Sequence, residues 1–195
     1  MAQGLDTLAV VIEGPERLAL NRLSLQSPAS DDVLVDVEWS GISTGTERLL
    51  WSGRMPNFPG MGYPLVPGYE SVGRVRAVGS KVSSHRVGDC VFVPGARCFG
   101  EVRGLFGGAA SQLVVPAQRV LGIDESLAER GVLLALAATA YHALAASGAR
   151  PPDLIVGHGV LGRLLARLTL AMGGDAPTRW EDTFEPTART RPTDS

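Results

Sequence analysis

Hydrophobic and polar positions follow one period in the first part of the chain and another in the second. Over residues 32–39 they alternate, with Val33, Val35, Val37 and Trp39 on one side and Asp32, Asp36 and Glu38 on the other. A period of two predicts a half-buried strand. Residues 7–12 and 16–20 flank Gly14-Pro15 and predict a hairpin. Residues 70–78 carry Arg74 and Arg76 on one face and Val75 and Ala77 on the other. Val87-Gly88-Asp89 turns into a strand over residues 90–93, and a further strand over residues 111–115 is closed by Pro116. Many short strands with Gly and Pro between them predict a barrel or sandwich over residues 1–122.

The period then lengthens. Ser126-Leu127-Ala128-Glu129 reads as a capping box and opens an apolar helix running to residue 146. Gly148 and Pro151-Pro152 stop it. A short apolar strand follows over residues 153–156. A second helix over residues 161–172 turns Leu164, Leu165 and Leu168 inward and Arg163 and Arg167 to solvent, and Gly173-Gly174 ends it. Residues 123–182 are therefore read as a connecting helix and the start of an α/β domain. Residues 175–195 are rich in Thr, Pro, Arg and acids and nearly lack aliphatics, which predicts disorder for most of them and a tail over 183–195. A strand over residues 176–180 would have to tolerate Pro177 and Arg179. No internal repeat is present.

Between that strand and helix stands Gly157-x-Gly159-x-x-Gly162. In this setting Gly157 permits the tight turn, Gly159 lets the backbone approach a pyrophosphate, and Gly162 packs the helix on the strand. Amides and dipole at the helix start, through His158, Val160 and Leu161, then hold the diphosphate. An acidic residue about 20 positions on is expected to bind the adenosine ribose. Glu181 fits that spacing, with Asp182 beside it, and a carboxylate there favours NAD over NADP. The alternative is that the glycines only make a strand–helix turn and that Glu181 is one charge in a solvated tail.

Composition narrows the class. The 195 residues are 45% hydrophobic with a net charge of −2, enough apolar material for a core. Charges of both signs are interspersed, which argues against nucleic acid and charged membrane surfaces as partners. No run approaches the roughly 20 apolar residues of a membrane span, and residues 1–7 lack a signal-peptide pattern. Two cysteines, Cys90 and Cys98, are too few for a disulfide scaffold, so a cytoplasmic location is expected. The three histidines, His85, His142 and His158, have no ligand spacing, and His142 reads as a core residue of an apolar helix.

Several segments resemble the medium-chain dehydrogenase/reductase superfamily. They are Ser40-Gly41-Ile42-Ser43-Thr44-Gly45-Thr46-Glu47, Pro64-Leu65-Val66-Pro67-Gly68-Tyr69-Glu70-Ser71-Val72-Gly73, Gly79-Ser80-Lys81-Val82, Arg86-Val87-Gly88-Asp89 and the glycine turn. The resemblance implies an α+β or α/β chain: a chaperonin-10 (GroES)-like β-barrel catalytic domain followed by the start of a Rossmann NAD-binding domain. Ala137-Ala138-Thr139-Ala140-Tyr141-His142 resembles the helix before that domain, with Thr139 near the nicotinamide. Within the superfamily, Trp39 to Trp51, Pro59 to Glu70, Gly104-Leu105-Phe106-Gly107-Gly108 and Pro152 to Leu168 are most similar to the 3-hydroxyethyl bacteriochlorophyllide a dehydrogenases. Those enzymes use NAD to oxidise a tetrapyrrole hydroxyethyl group to acetyl in bacteriochlorophyll synthesis. The resemblance also implies a chain that stops partway through its nucleotide domain. Such a chain would expose strand edges and helix faces, and those could pair it as a homodimer.

The zinc alcohol dehydrogenases of the superfamily bind catalytic zinc through Cys, His and Glu. Here Ser43 or Ser40 stands for the Cys and Tyr69 for the His, and only Glu70 remains. Hydroxyls are poor zinc ligands, and two cysteines cannot supply a structural zinc lobe, so no zinc is expected. The substrate alcohol must then lose its proton to side chains: Ser43, Thr44, Thr46 or Tyr69, with Glu70 as base or orienter. The same residues also suit a turn and a structural carboxylate. Trp51, Met55, Phe58, Met61 and Tyr63, in a loop cut by Pro and Gly, could wall a flat macrocycle or pack into their own domain. Two other functions remain open from sequence: a zinc-free quinone reductase-like enzyme, and an inactive remnant or tetrapyrrole-binding module.

Overall fold

The structure is a computed structural model that describes residues 4–146 and 150–180. The chain divides into two compact units, Met1–Leu133 and Leu134–Ser195. The change of unit therefore falls at Leu133/Leu134, later than residue 122, where the sequence pattern changes.

The first unit is built from two sheets. One runs β2 (Arg17–Ser24), β1 (Asp6–Gly14), β4 (Leu65–Val66), β7 (Arg103–Gly104). The other runs β8 (Gln112–Pro116), β3 (Asp32–Ser40), β5 (Ser71–Val78), β6 (Cys90–Val93), β9 (Leu121–Gly122). The expected hairpin is β1–β2, with Gly14 opposite Arg17 across Pro15-Glu16. Its tip is tied to α1 (Thr46–Trp51), because the Glu16 amide donates to the Trp51 carbonyl at 2.7 Å. An Ala9–Ala110 bridge and the Val10 amide to Ala109 carbonyl bond join β1 to the chain entering β8, linking the two sheets. Between them lies a core of inward-facing aliphatics, among them Val11, Val33, Val35, Val75, Val91, Val93, Leu113 and Val115. Burying a side chain of this size contributes roughly 1.5–3 kcal/mol, so this alternating Val and Leu set is the main source of the unit's stability.

Two expectations fail here for local reasons. Trp39 does not join the inward row and is 48% exposed. Val37 pairs with Gly73 but Trp39 pairs with Val72, so Glu38 is an extra residue that bulges β3 and turns the alternation over. The capping box at Ser126 does not form either. Residues Glu125–Leu133 make a 3-10 segment broken at Ala128, whose φ is 44°. Asp124 takes the cap instead, its carboxylate accepting from the Ser126 amide at 2.8 Å. Glu125 pairs with Arg74 of β5, and Gly131 packs where a Cβ would meet Ile123 and Val72. These contacts hold the segment on the barrel, so the α-helix begins only at Leu134.

The second unit contains α2 (Leu134–Ala146), β10 (Leu154–Val156), α3 (Val160–Ala171) and β11 (Thr178–Trp180). β10 and β11 pair in parallel, Ile155 opposite Arg179, a pairing that needs a crossover connection, which α3 supplies. The strand that Pro177 put in doubt thus forms, within a stretch read as mostly disordered. α3 buries Gly162, Ala166 and Thr169, a stripe of small residues at helical spacing, with Leu164, Leu165 and Leu168 half-buried beside it. Leu154, Val156 and Trp180 remain exposed, as expected of a short sheet. No helix among the described residues is long and apolar enough to cross a membrane.

Candidate functional site

In the first unit, the turn after β4 sets the geometry. Gly68 has a φ of 93°, and a Cβ there would lie 2.9 Å from the Ala109 amide nitrogen. Glycine is the residue that tolerates both the positive φ and the approach. The turn delivers Tyr69 and Glu70 to residues 41–47, where the Gly41 amide donates to the Glu70 carbonyl at 2.8 Å. A Cβ on Gly41 would run into the Glu70 carboxylate. Glu70 is only 4% exposed, and its Oε1 has no hydrogen-bond partner among the described residues.

A second carboxylate joins it. Glu47, in the first turn of α1, has both side-chain oxygens buried and likewise unpartnered. Burial pushes both carboxyls above their ordinary range. At Glu47 the charge of Glu70 adds to this, while the backbone at Glu47, Ser43 and Gly68 opposes it from outside good hydrogen-bond geometry. Around the two acids sit hydroxyls. Thr46 Oγ1 is 3.4 Å from Tyr69 Oη, and Ser43 Oγ accepts from the Thr46 amide at 3.5 Å. The Tyr69 ring meets Phe106 edge to face, with centroids 5.4 Å apart.

The structure thus brings Ser43, Thr46, Tyr69 and Glu70 together, while Thr44 is exposed. It adds Glu47, which the sequence reading left unassigned although it closes the motif Ser43-Thr44-Gly45-Thr46-Glu47. The five residues proposed as a macrocycle wall divide. Met55, Met61 and Tyr63 pack on a small core of Ile12, Leu50, Leu65 and Leu105, and the Tyr63 hydroxyl donates to the Leu50 carbonyl. They belong to the domain's own packing. Trp51 and Phe58 are outward, 43% and 37% exposed. Phe58 lines a cavity of about 580 Å³ with Arg97, Arg103 and Phe106, three residues the sequence reading did not assign.

Ser43 and Tyr69 present hydroxyls at this site, and hydroxyls are poor zinc ligands. Among the described residues no group of three or more His, Cys, Asp and Glu is placed to hold a metal. Cys90 and Cys98 are free thiols, and burial pushes Cys98 up to about 11. His85 is buried with Nε2 3.2 Å from the Ala117 carbonyl.

In the second unit, Gly157 has a φ of 103° and its amide donates to the Trp180 carbonyl at 2.6 Å, locking the turn to β11. A Cβ on Gly162 would collide with the Gly157 carbonyl, so that glycine sets how closely α3 meets β10. Gly159 is the N-cap of α3, with no side-chain cap and nothing within 4 Å of where a Cβ would be. The first-turn amides, from Val160, Leu161 and Gly162, have no acceptor within the helix, and no side chain caps them. These residues fit a dinucleotide diphosphate. Arg163 and Arg167 are exposed, as expected, and Arg163 Nε donates to the His158 carbonyl at 3.2 Å. Thr139 is exposed, its hydroxyl donating to Ala135 at 3.0 Å. His142 is exposed, contrary to its reading as a core histidine, because α2 buries only Ala140. Glu181 and the 183–195 tail lie outside the described residues.

Comparisons with known proteins agree with this architecture. The family described as alcohol dehydrogenase GroES-like domain matches residues 29–125. The 2-desacetyl-2-hydroxyethyl bacteriochlorophyllide A dehydrogenase of Cereibacter sphaeroides is 55% identical over 92% of this chain and 58% of its own length. Its namesake in Rhodobacter capsulatus is 56% identical over 91% of the chain and 56% of its own length. The chain therefore spans somewhat more than half of either relative. Among solved structures, alcohol dehydrogenase TADH from Thermus sp. ATN1 aligns with a TM-score of 0.71 at 27% identity, covering 88% of this chain and 57% of that one. An Escherichia coli CFT073 alcohol dehydrogenase complexed with NADH aligns with a TM-score of 0.72 at 22% identity, covering 94% and 64%, a likeness of fold.

Proposed function

The chain belongs to the alcohol dehydrogenase family with a GroES-like catalytic domain, and on that premise we propose that it serves oxidation of a bacteriochlorophyllide hydroxyethyl group to acetyl, with NAD as hydride acceptor. The identity of more than half to the two bacteriochlorophyllide dehydrogenases, over more than nine-tenths of the chain, carries this reading.

The residues of the first unit take the proton. As hydride leaves the carbinol carbon, the alcohol O–H must lose its proton. Tyr69 and Thr46 relay it, and Glu70 is the base, with Glu47 setting its affinity for the proton. Burial raises both carboxyls, and at Glu47 the charge of Glu70 adds to this, which makes them stronger proton acceptors than exposed carboxylates. This chemistry needs no zinc, in keeping with hydroxyls where zinc enzymes carry thiolate and imidazole. Gly157, Gly159 and Gly162 and the start of α3 hold the cofactor diphosphate, Thr139 lies by the nicotinamide, and Glu181 selects NAD over NADP through the ribose hydroxyls. NAD supplies the hydride acceptor; the chain binds, orients and deprotonates. Two free thiols fit a reducing compartment such as the cytoplasm.

The test is turnover of the hydroxyethyl pigment by the purified chain with NAD, after calorimetry has measured NAD binding. NADH and acetyl pigment appearing in equal amounts support the reading. NAD binding without oxidation, or oxidation of other alcohols but not the pigment, overturns it.

A further inference from the structure

The cavity beside Phe106 carries chemistry that proton transfer does not use. Two aromatic rings, Phe58 and Phe106, line it at 37% and 41% exposure. A solvent-facing ring loses the hydrophobic contribution that burial would give, so two of them on one concave surface mark a place where a flat apolar ligand gains by covering them. Two arginines, Arg97 and Arg103, line the same cavity, and both are exposed. Among the described residues neither has an acidic partner. Arg103 is aimed by a single bond, Nη1 to the Tyr63 carbonyl at 3.3 Å, and Gly62 leaves room for its guanidinium, since a Cβ there would come within 3.1 Å. A guanidinium with one neutral acceptor keeps donors free, and their planar fork matches a carboxylate.

We propose that this cavity is a carboxylate clamp for the substrate, in which Arg97 and Arg103 hold an acidic side chain of a flat macrocycle whose face lies on Phe58 and Phe106. The proposal rests on the bacteriochlorophyllide reading and adds which end of the substrate is held, and by what. A bacteriochlorophyllide is the free acid of its pigment, so it brings a carboxylate that an esterified pigment lacks. The site also connects to the chemistry: Phe106, the wall of the cavity, is the ring that Tyr69 meets edge-on, and Tyr69 carries the hydroxyl beside Thr46. A macrocycle anchored at the arginines and flat on Phe106 is therefore one ring away from the proton relay. A cavity of about 580 Å³ holds an edge of such a macrocycle and its acidic arm.

Titration of the full chain with 3-hydroxyethyl bacteriochlorophyllide and with its methyl ester, followed by pigment absorbance and fluorescence, tests this without any turnover. The free acid is expected to bind at least about tenfold tighter than the ester, about 1.4 kcal/mol. Arg97→Gln and Arg103→Gln should each remove most of that preference by weakening the acid alone. Raising the salt concentration should erode the same preference in the wild type. Equal affinity for acid and ester in the wild type, or variants that weaken both ligands alike, would overturn the clamp and leave the dehydrogenase reading standing. Binding of neither pigment by a folded chain would overturn both.

Discussion

The hydroxyl of Thr46 lies 3.4 Å from that of Tyr69, and the two residues come from opposite sides of the site, one from the first turn of α1 and one from the Gly68 turn. Neither segment alone makes a proton relay. Their meeting, next to a buried carboxyl with an unpartnered oxygen, is what the fold of the first unit achieves.

Removing one hydroxyl should separate catalysis from folding. Tyr69→Phe keeps the ring and its contact with Phe106. It is expected to leave the melting temperature within a degree or two and the pigment affinity unchanged, and to lower kcat by about 10²-fold, the low end for a general acid–base group. Stopped-flow kinetics with circular dichroism on the same samples checks this. A fall in kcat accompanied by equal loss of structure would count against the relay.

The buried acids make a prediction with a definite sign. Glu47 and Glu70 have folded-state pKa values raised above the unfolded ones, chiefly by burial. Their contribution to stability is therefore complete at acid pH, below the unfolded value, and is lost as pH rises through the raised value. Glu70→Gln and Glu47→Gln should lose that decline and melt higher than the wild type at pH 8, with little difference near pH 4. Glu70→Gln should also abolish most activity. Melting curves across pH check the first part. A variant that melts lower than wild type at pH 8 would show that the carboxylate is held by partners and not by burial.

Two glycines of the nucleotide turn should fail differently. Gly159→Ala meets nothing within 4 Å, so the unit should fold normally while NAD affinity drops about tenfold or more through the lost approach to the diphosphate. Gly162→Ala drives a methyl into the Gly157 carbonyl and must shift α3 on β10, lowering stability and affinity together. Calorimetry with NAD, beside thermal melts, distinguishes them.

Cys98 should be inert and Cys90 less so. Cys98 lies in the barrel core with its thiol raised to about 11, whereas Cys90 is only half-buried. Alkylation followed by peptide mass spectrometry should find Cys98 modified only once the barrel opens in denaturant. Modification of both at equal rates in native buffer would contradict the packing described.

Much of this was legible in the sequence because the signals were local. Alternation gave β3 and β5, Pro116 marked the end of β8, and the glycine spacing placed the turn between β10 and α3. What sequence missed was non-local. The bulge at Glu38 that turns Trp39 outward depends on how β3 registers with β5. The 3-10 segment at Ser126 forms because Arg74 and Val72 hold it, overriding a good capping pattern. Met55, Met61 and Tyr63 looked like Phe58 in composition, and only packing on Leu50 and Leu65 separates them. Glu47 stood inside a recognised motif, but its partnership with Glu70 appears only when the Gly68 turn closes the gap between them.

The most direct measurement follows the hydride itself. The chain is incubated with NAD and hydroxyethyl pigment carrying deuterium on the carbinol carbon, and both products are read by mass spectrometry. One deuterium in the reduced nicotinamide for each acetyl pigment formed is the predicted result. Unchanged pigment, or acetyl pigment formed with no deuterium in the nicotinamide, would contradict the account.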